Sequence, residues 1–306
     1  MSSSGLAAVR HRGLSDRAQE GLAGYLMSLP ALLTLTTFIL VPIVASLVLV
    51  FMDYPLLTPP VWAGLGNLRH LFLDKRLWLC YWNTLYLTTS IMILNNVVGL
   101  LLAMGVNRTM PRLIRYFLRS SLFFPVLTTT SSLALVWSFL LTKDRGVVNW
   151  LIGQVGLAPV PWLSRLPWAR YSVILFDLWR GCGFSMVLYL AGLQGIPEGL
   201  YEAAKIDGAN RWQLTRHITL PLITPTLFFC AVMGSIASFQ MFDGPFVMTG
   251  GGPGDTTRTI SMYIYEIAFQ RFQMGYASAI AVLLLVFLLI LTVIQFRLAD
   301  RWVHYE

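Results

Sequence analysis

Five stretches of this chain, 21–52, 77–107, 120–142, 218–242 and 272–296, contain no Asp, Glu, Lys or Arg. Each is longer than the roughly 20 apolar residues that a helix needs to cross the hydrocarbon core of a bilayer. In lipid only a helix or a closed barrel satisfies its own backbone polar groups, and runs of this length point to helices. A sixth stretch, 171–197, is apolar apart from Asp177 and Arg180, whose i, i+3 spacing lets them face each other on one helix side. The expected fold is all-α and integral to the membrane, with six transmembrane helices at about 22–51, 83–107, 118–141, 171–195, 219–243 and 275–297. A leader (1–20) precedes this six-span domain (21–298), and a short tail (299–306) follows it.

Composition agrees: 56% of the residues are hydrophobic and 12% are charged, about half the charged share of a soluble domain. The net charge of +8 would suit nucleic acid, but the positions of the cations argue otherwise. Arg10, Arg12 and Arg17 precede the first span; Arg108, Arg112, Arg115 and Arg119 lie between the second and third; Lys205, Arg211 and Arg216 lie between the fourth and fifth; Arg297 and Arg301 end the chain. Cations in the short flanks face the cytoplasm, so both termini are expected inside and no nucleic-acid partner is expected. The alternate loops also carry cations, Arg69, Lys75, Arg76, Lys143, Arg145, Arg165, Arg258 and Arg271, partly balanced by Asp74, Asp144, Asp255 and Glu266.

Three cysteines and four scattered histidines form neither a disulfide framework nor a metal-ligand spacing, so no metal is expected. No Gly-Lys-Ser or Gly-Lys-Thr is present, so the glycines from Gly250 to Gly254 read as a tight turn rather than a phosphate loop. The chain is expected to be no enzyme.

The link between the fourth and fifth spans is more than a connector. Pro197 and Glu198 suit a helix start, Gly208 a left-handed helix end, and Asn210 a cap for a second short helix, Arg211 to His217, before Pro221. The expected result is helix, sharp turn, helix on the cytoplasmic surface, with Ala203 and Ala204 giving a smooth face. On physical grounds alone this suits either docking to a partner or anchoring in the headgroup region.

Glu202-Ala203-Ala204, three residues, Gly208, nine residues, and Ile218-x-Leu220-Pro221 resemble the signature loop of permease subunits of bacterial ATP-binding-cassette (ABC) importers, the binding-protein-dependent transport system inner membrane components. Phe242-Asp243 with Val247 to Asp255, and Gly64 to Phe72, are similar to outer segments of carbohydrate permeases of the maltose and glycerol-phosphate type. The resemblance implies a sugar-import function in a bacterial plasma or inner membrane. It implies a second homologous permease, two ATPase subunits and an extracytoplasmic solute-binding protein as partners. ATP and magnesium would be used by the ATPases and no cofactor held by this chain. Carried over by position, Glu202, Ala203, Ala204, Asp207, Gly208, Leu220 and Pro221 would couple the chain to an ATPase. For the solute pathway the candidates are Phe239, Gln240 and Asp243 on the fifth span and Arg180 on the fourth, where polar groups are otherwise costly. Two blander expectations stand beside these: Asp177 and Arg180 pair with each other, and Asp243 ends its helix. An ion-coupled secondary carrier is the alternative function, although broken helices and repeat symmetry are not visible in the sequence.

Overall fold

The structure, a computed structural model, describes residues 14–303 except 109, with side chains from Gly21 onward. Residues 1–13 of the expected leader and 304–306 of the tail lie outside the described residues. Helix α1 (Leu14–Leu35) passes through a π turn (Thr36–Leu40) into α2 (Val41–Leu49). The first helical run therefore reaches back into the stretch read as leader. Two short antiparallel strands, β1 (Met52–Asp53) and β2 (Val61–Trp62), and α3 (Gly66–Leu73) form the first loop. Helix α4 (Lys75–Val106) starts at Asp74, whose carboxylate accepts from the amides of Arg76 and Leu77.

The third apolar stretch departs from expectation. It is not one helix: α5 (Arg112–Phe123) leads through a short 3-10 turn (Phe124–Leu127) and, after Thr128 and Thr129, meets α6 (Thr130–Leu140) at 103°. Pro125 has no amide to continue the ladder, and Thr128 and Thr129 are extended. Helix α7 (Val147–Gln154) and a loop tied together by Asn149 lead to α8 (Trp168–Gln194), the fourth stretch.

Next come α9 (Glu198–Ile206), α10 (Arg211–Leu214), a π turn (Thr215–Thr219), α11 (Leu220–Leu222) and α12 (Thr224–Phe239). Pro221 does not mark the entry to the fifth span as expected. The helix runs through it to Leu222 and bends by 60° before α12. Nor does the fifth span reach 243: α12 stops at Phe239, and α13 (Asp243–Thr249) is a separate helix. A glycine-rich turn, α14 (Ile260–Tyr265), a π turn (Glu266–Gln270) and α15 (Met274–Ala299) complete the chain. Among the described residues, four runs are thus long and apolar enough to cross a membrane unbroken, and the two bent pairs bring the number to as many as six.

Helix α4 packs along α8, with α12 against both and α15 against α2 and α14. Small residues permit these contacts. A methyl in place of Gly275 would sit 2.0 Å from the Met52 carbonyl oxygen, and one in place of Gly99 would sit 2.7 Å from Ser185 Cβ.

The loops at one end are locked by charge. Arg76 donates to Asp255 (2.6 Å) and Glu266 (2.5 Å), Arg258 to the same two carboxylates (2.5 and 2.9 Å), and Arg271 to Glu266 (2.7 Å). Tyr263 and Tyr276 both donate to Asp74 at 2.6 Å. Three of the cations that sequence placed in the loops opposite the cationic flanks are therefore neutralised in place.

Hydrogen bonds from Arg76 and Arg258 hold the Asp255 carboxyl below its ordinary value. Burial works to raise Glu266, but the arginines outweigh it and the net direction is down. Carboxyls lowered on folding stabilise the chain above their ordinary values, and this is lost as pH falls through the lowered ones. The melting midpoint in detergent should hold from neutral pH to the ordinary carboxyl values of 3.8 and 4.5, then fall. Glu266→Gln, which leaves Arg271 without its carboxylate and Arg76 and Arg258 sharing Asp255, should cost about 2 kcal/mol at neutral pH and show a shallower acid loss in thermal melts.

Candidate functional site

Two features stand out, a hairpin at one end of the bundle and a cavity inside it. In the hairpin, α9 closes with the Gly208 amide bonded to the Lys205 carbonyl (3.1 Å) and the Ala209 amide to the Ala204 carbonyl (2.9 Å). This pairing needs a left-handed residue, and Gly208 supplies it at φ +84°. Asn210 then opens α10 with a reciprocal capping box: its Oδ1 accepts from the Gln213 backbone amide (2.9 Å) while Gln213 Oε1 accepts from the Asn210 backbone amide (2.8 Å). A hydrogen bond between Tyr201 and Thr219 hydroxyls (3.0 Å) ties the two arms.

The structure leaves most of the expected coupling residues exposed at the hairpin surface. Glu202, Ala203, Asp207 and Gly208 are exposed and Ala204 is half-buried beside a notch of about 280 Å³. Next to them Ile206 is 87% exposed, which an isolated helix end does not explain. Leu220 and Pro221 do not join this surface; they are half-buried at the base of the second arm.

The cavity, of about 450 Å³, lies between α4, α8, α12 and the start of α6 and α13. Its wall holds Arg180, Gln240 and Asp243, three of the expected pathway residues. The break after α12 puts Gln240 and Asp243 there, so Asp243 begins a helix rather than ending one, and it accepts from Ser131 at 3.0 Å. Phe239 is elsewhere: it is 3% exposed and packs edge-on against Phe287, its ring turned into the core. Asp177 and Arg180 do pair, at 3.0 Å, and the same pair lines the cavity, so the two readings of these residues are not exclusive. Trp179 beside them packs on Trp137 at 5.5 Å.

Of the two adjacent asparagines midway along α4, Asn96 makes an interhelical bond, accepting from the Tyr189 hydroxyl. Asn95 does not. Its Oδ1 is buried with no partner, at the cavity wall facing Gly181. Nothing in the sequence separates these two neighbours. Their roles differ because successive helix positions lie about 100° apart.

Comparison with known proteins adds the following. The family model described as "Binding-protein-dependent transport system inner membrane component" matches residues 95–304. A probable ABC transporter permease protein, YesP of Bacillus subtilis, is 36% identical over 297 residues, covering 94% of each chain. The probable starch degradation products transport system permease protein AmyD of Thermoanaerobacterium thermosulfurigenes is 32% identical, covering 92% of this chain and 96% of its own. Among solved structures, a chain of a bacterial ABC transporter involved in the import of the acidic polysaccharide alginate has the same fold, with TM-score 0.80, 24% identity and coverage of 94% and 98%.

The walls of the cavity depend on close helix contacts, which a methyl group tests. Gly183→Ala would place its methyl 1.9 Å from the Leu122 carbonyl oxygen, whereas nothing lies within 4 Å at Gly199. Gly183→Ala should therefore destabilise the chain by at least 1–3 kcal/mol, and Gly199→Ala, inside α9, should be neutral or stabilise it by up to about 1 kcal/mol. Thermal melts of the purified variants would check both.

Proposed function

The chain belongs to the family of binding-protein-dependent transport system inner membrane components, the membrane permeases of ABC importers, and from that premise we propose that it carries a sugar or sugar-like solute inward. The observation that carries the proposal is the continuity of the two features. The hairpin joins the end of α8 to the start of the α11–α12 run, and both α8 and α12 line the cavity. A push on the hairpin is a push on the cavity wall. A secondary carrier has no use for so ordered and exposed a hairpin.

In this reading Glu202, Ala203, Ala204, Asp207 and Gly208 seat against an ATPase subunit, which binds ATP and magnesium. Leu220 and Pro221 act at the base of the hairpin, transmitting its movement. Gln240, Asp243 and Arg180 contact the solute, and Phe239 supports the wall from behind. This chain's half of the pathway is closed by a second permease, and an extracytoplasmic binding protein delivers the solute. The apolar surface of α1 and α2 supports a second subunit. From Gly21 to Ala45 every residue is exposed, so lipid and a neighbouring subunit are left to cover it.

The chain spans the plasma or inner membrane of a bacterium six times, with the hairpin and both termini in the cytoplasm. Residues 1–20 form the leader, 21–298 the permease domain and 299–306 the tail. The pairing of Arg76, Arg258 and Arg271 supports this orientation, since paired cations at the outer face oppose it less than free ones do. The sugar assignment draws on AmyD, whose name assigns it starch degradation products, and on the cavity's mixture of amides, hydroxyls and the two aromatic rings of Phe184 and Phe242.

The test is ATP-driven uptake in proteoliposomes holding this chain with its partner permease and ATPases. Glu202→Ala should lower solute-stimulated ATP hydrolysis by at least tenfold while the chain still inserts. Gly208→Pro, which cannot hold a positive φ, should abolish it. Uptake by this chain alone, without nucleotide, would replace the importer reading with the secondary carrier.

A further inference from the structure

The cavity holds three formally charged side chains among the described residues: Asp177, Arg180 and Asp243. Two carboxylates against one guanidinium leave one negative charge. The single cation is already engaged, because Arg180 Nη2 donates to Asp177 Oδ1 at 3.0 Å and Asp177 is 7% exposed. Arg180 keeps uncommitted N–H groups, but an anion reaching them meets the Asp177 and Asp243 carboxylates in the same cavity and so faces a wall of net negative charge.

Two further polar atoms in the same wall are buried without partners: Asn95 Oδ1, an acceptor, and Arg180 Nε, a donor. They ask for opposite things. A hydroxyl donates and accepts, so a polyol that reaches this wall satisfies both, and an added carboxylate or sulfonate contributes nothing toward Asn95 Oδ1.

We infer that this half of the pathway selects against acidic sugars and is matched to an uncharged saccharide, with the Asp177–Arg180 pair acting as the charge filter and Asn95 as the hydroxyl acceptor. The inference rests on the importer reading and adds the charge class of the solute. It sets the chain apart from its structural relative, whose complex imports an acidic polysaccharide: the shared fold does not carry the charge preference.

Thiol chemistry measures the filter whatever the natural solute is. Ala237 lines the cavity and is exposed within it. A single Ala237→Cys is introduced into the chain after Cys80, Cys182 and Cys230, all buried, are replaced by alanine. The complex with its partner permease and ATPases is reconstituted in nanodiscs. Labelling rates with an anionic sulfonatoethyl and a neutral hydroxyethyl methanethiosulfonate are each normalised to the rate with a free thiol. The neutral reagent should react about tenfold faster than the anionic one. Asp243→Asn and Asp177→Asn should each narrow that gap several-fold, and together they should reverse it, because they leave Arg180 as the sole charge. Asp243→Asn leaves the buried pair intact, so it still reads the filter if Asp177→Asn fails to fold.

Maltotriose should slow the labelling more than trigalacturonate does. An anionic reagent that reacts as fast as the neutral one with all three charges present would overturn the inference, as would stronger protection by trigalacturonate. The same preparation reports on the underlying reading. A complex that assembles and hydrolyses ATP but prefers anions defeats only the charge filter, whereas failure to assemble with the ATPases defeats the importer assignment as well.

Discussion

Everything functional in this molecule hangs on the close contact between α4 and α8. In lipid there is no water to expel, so two helices hold together through packing and through hydrogen bonds between side chains. Here Gly99 lets α4 approach to within contact of Ser185, and the Tyr189 hydroxyl reaches across to Asn96. Tyr189 and Met186, on the same face of α8, are fully buried. That face fixes how α8 sits about its own axis, and its rotation decides that Asp177, Arg180 and Gly181 open into the cavity while Phe176 and Val173 face the core. Farther along, Gly192 admits Thr226 of α12, since a methyl there would lie 2.5 Å from the Thr226 hydroxyl. The three helices lining the cavity are thus held by small residues at the points of closest approach.

Polar groups are used differently at different depths. At the loop end, five arginine–carboxylate contacts form one network, and the two made by Arg76 join the start of α4 to residues nearly two hundred positions later. These groups are partly solvated and in surplus, so they fix the loops to the bundle and leave no open site. Inside the cavity the situation is the reverse: one ion pair, one bound carboxylate and two unsatisfied atoms. Unsatisfied buried groups are costly in a fold whose only purpose is to stay folded. Their presence at a cavity wall makes sense where a solute completes them in passing.

The sequence was most legible where one physical rule dominates. Charge-free runs longer than a bilayer is thick mark helices whatever they pack against, and four of the six run unbroken. The hairpin was legible because Pro197, Gly208 and Asn210 each carry a backbone preference that acts locally. The breaks were not. Pro125, Pro221 and Pro225 all sit in apolar surroundings, and only tertiary packing decides that the chain turns beside the first, runs straight through the second and bends just ahead of the third. Phe239 and Gln240 illustrate the limit. They are adjacent, and the helix ends between them, which sends the ring into the core and the amide to the cavity. The arginine–carboxylate cluster was equally hidden, because charge balance along a sequence says nothing about partners that far apart.

The hairpin and the cavity lie apart in space, but the connectivity makes them the two ends of one lever. Between Gln194 and Glu198 there are only three residues, and α9 is pinned to the second arm by the Tyr201–Thr219 bond. A rigid displacement of the hairpin therefore has two outlets, along α8 and along the α11–α12 run. The run is bent by 60° at Ile223, which is fully buried, and the contact between Gly192 and Thr226 lies just beyond that bend. A straight fifth helix would move as a rod and translate its cavity residues with the hairpin. In the proposed importer, a bent one clamped to α8 beyond the bend would turn the same displacement into rotation of both helices together, which would change what Arg180 and Gln240 present to the cavity without opening a gap between the helices that carry them.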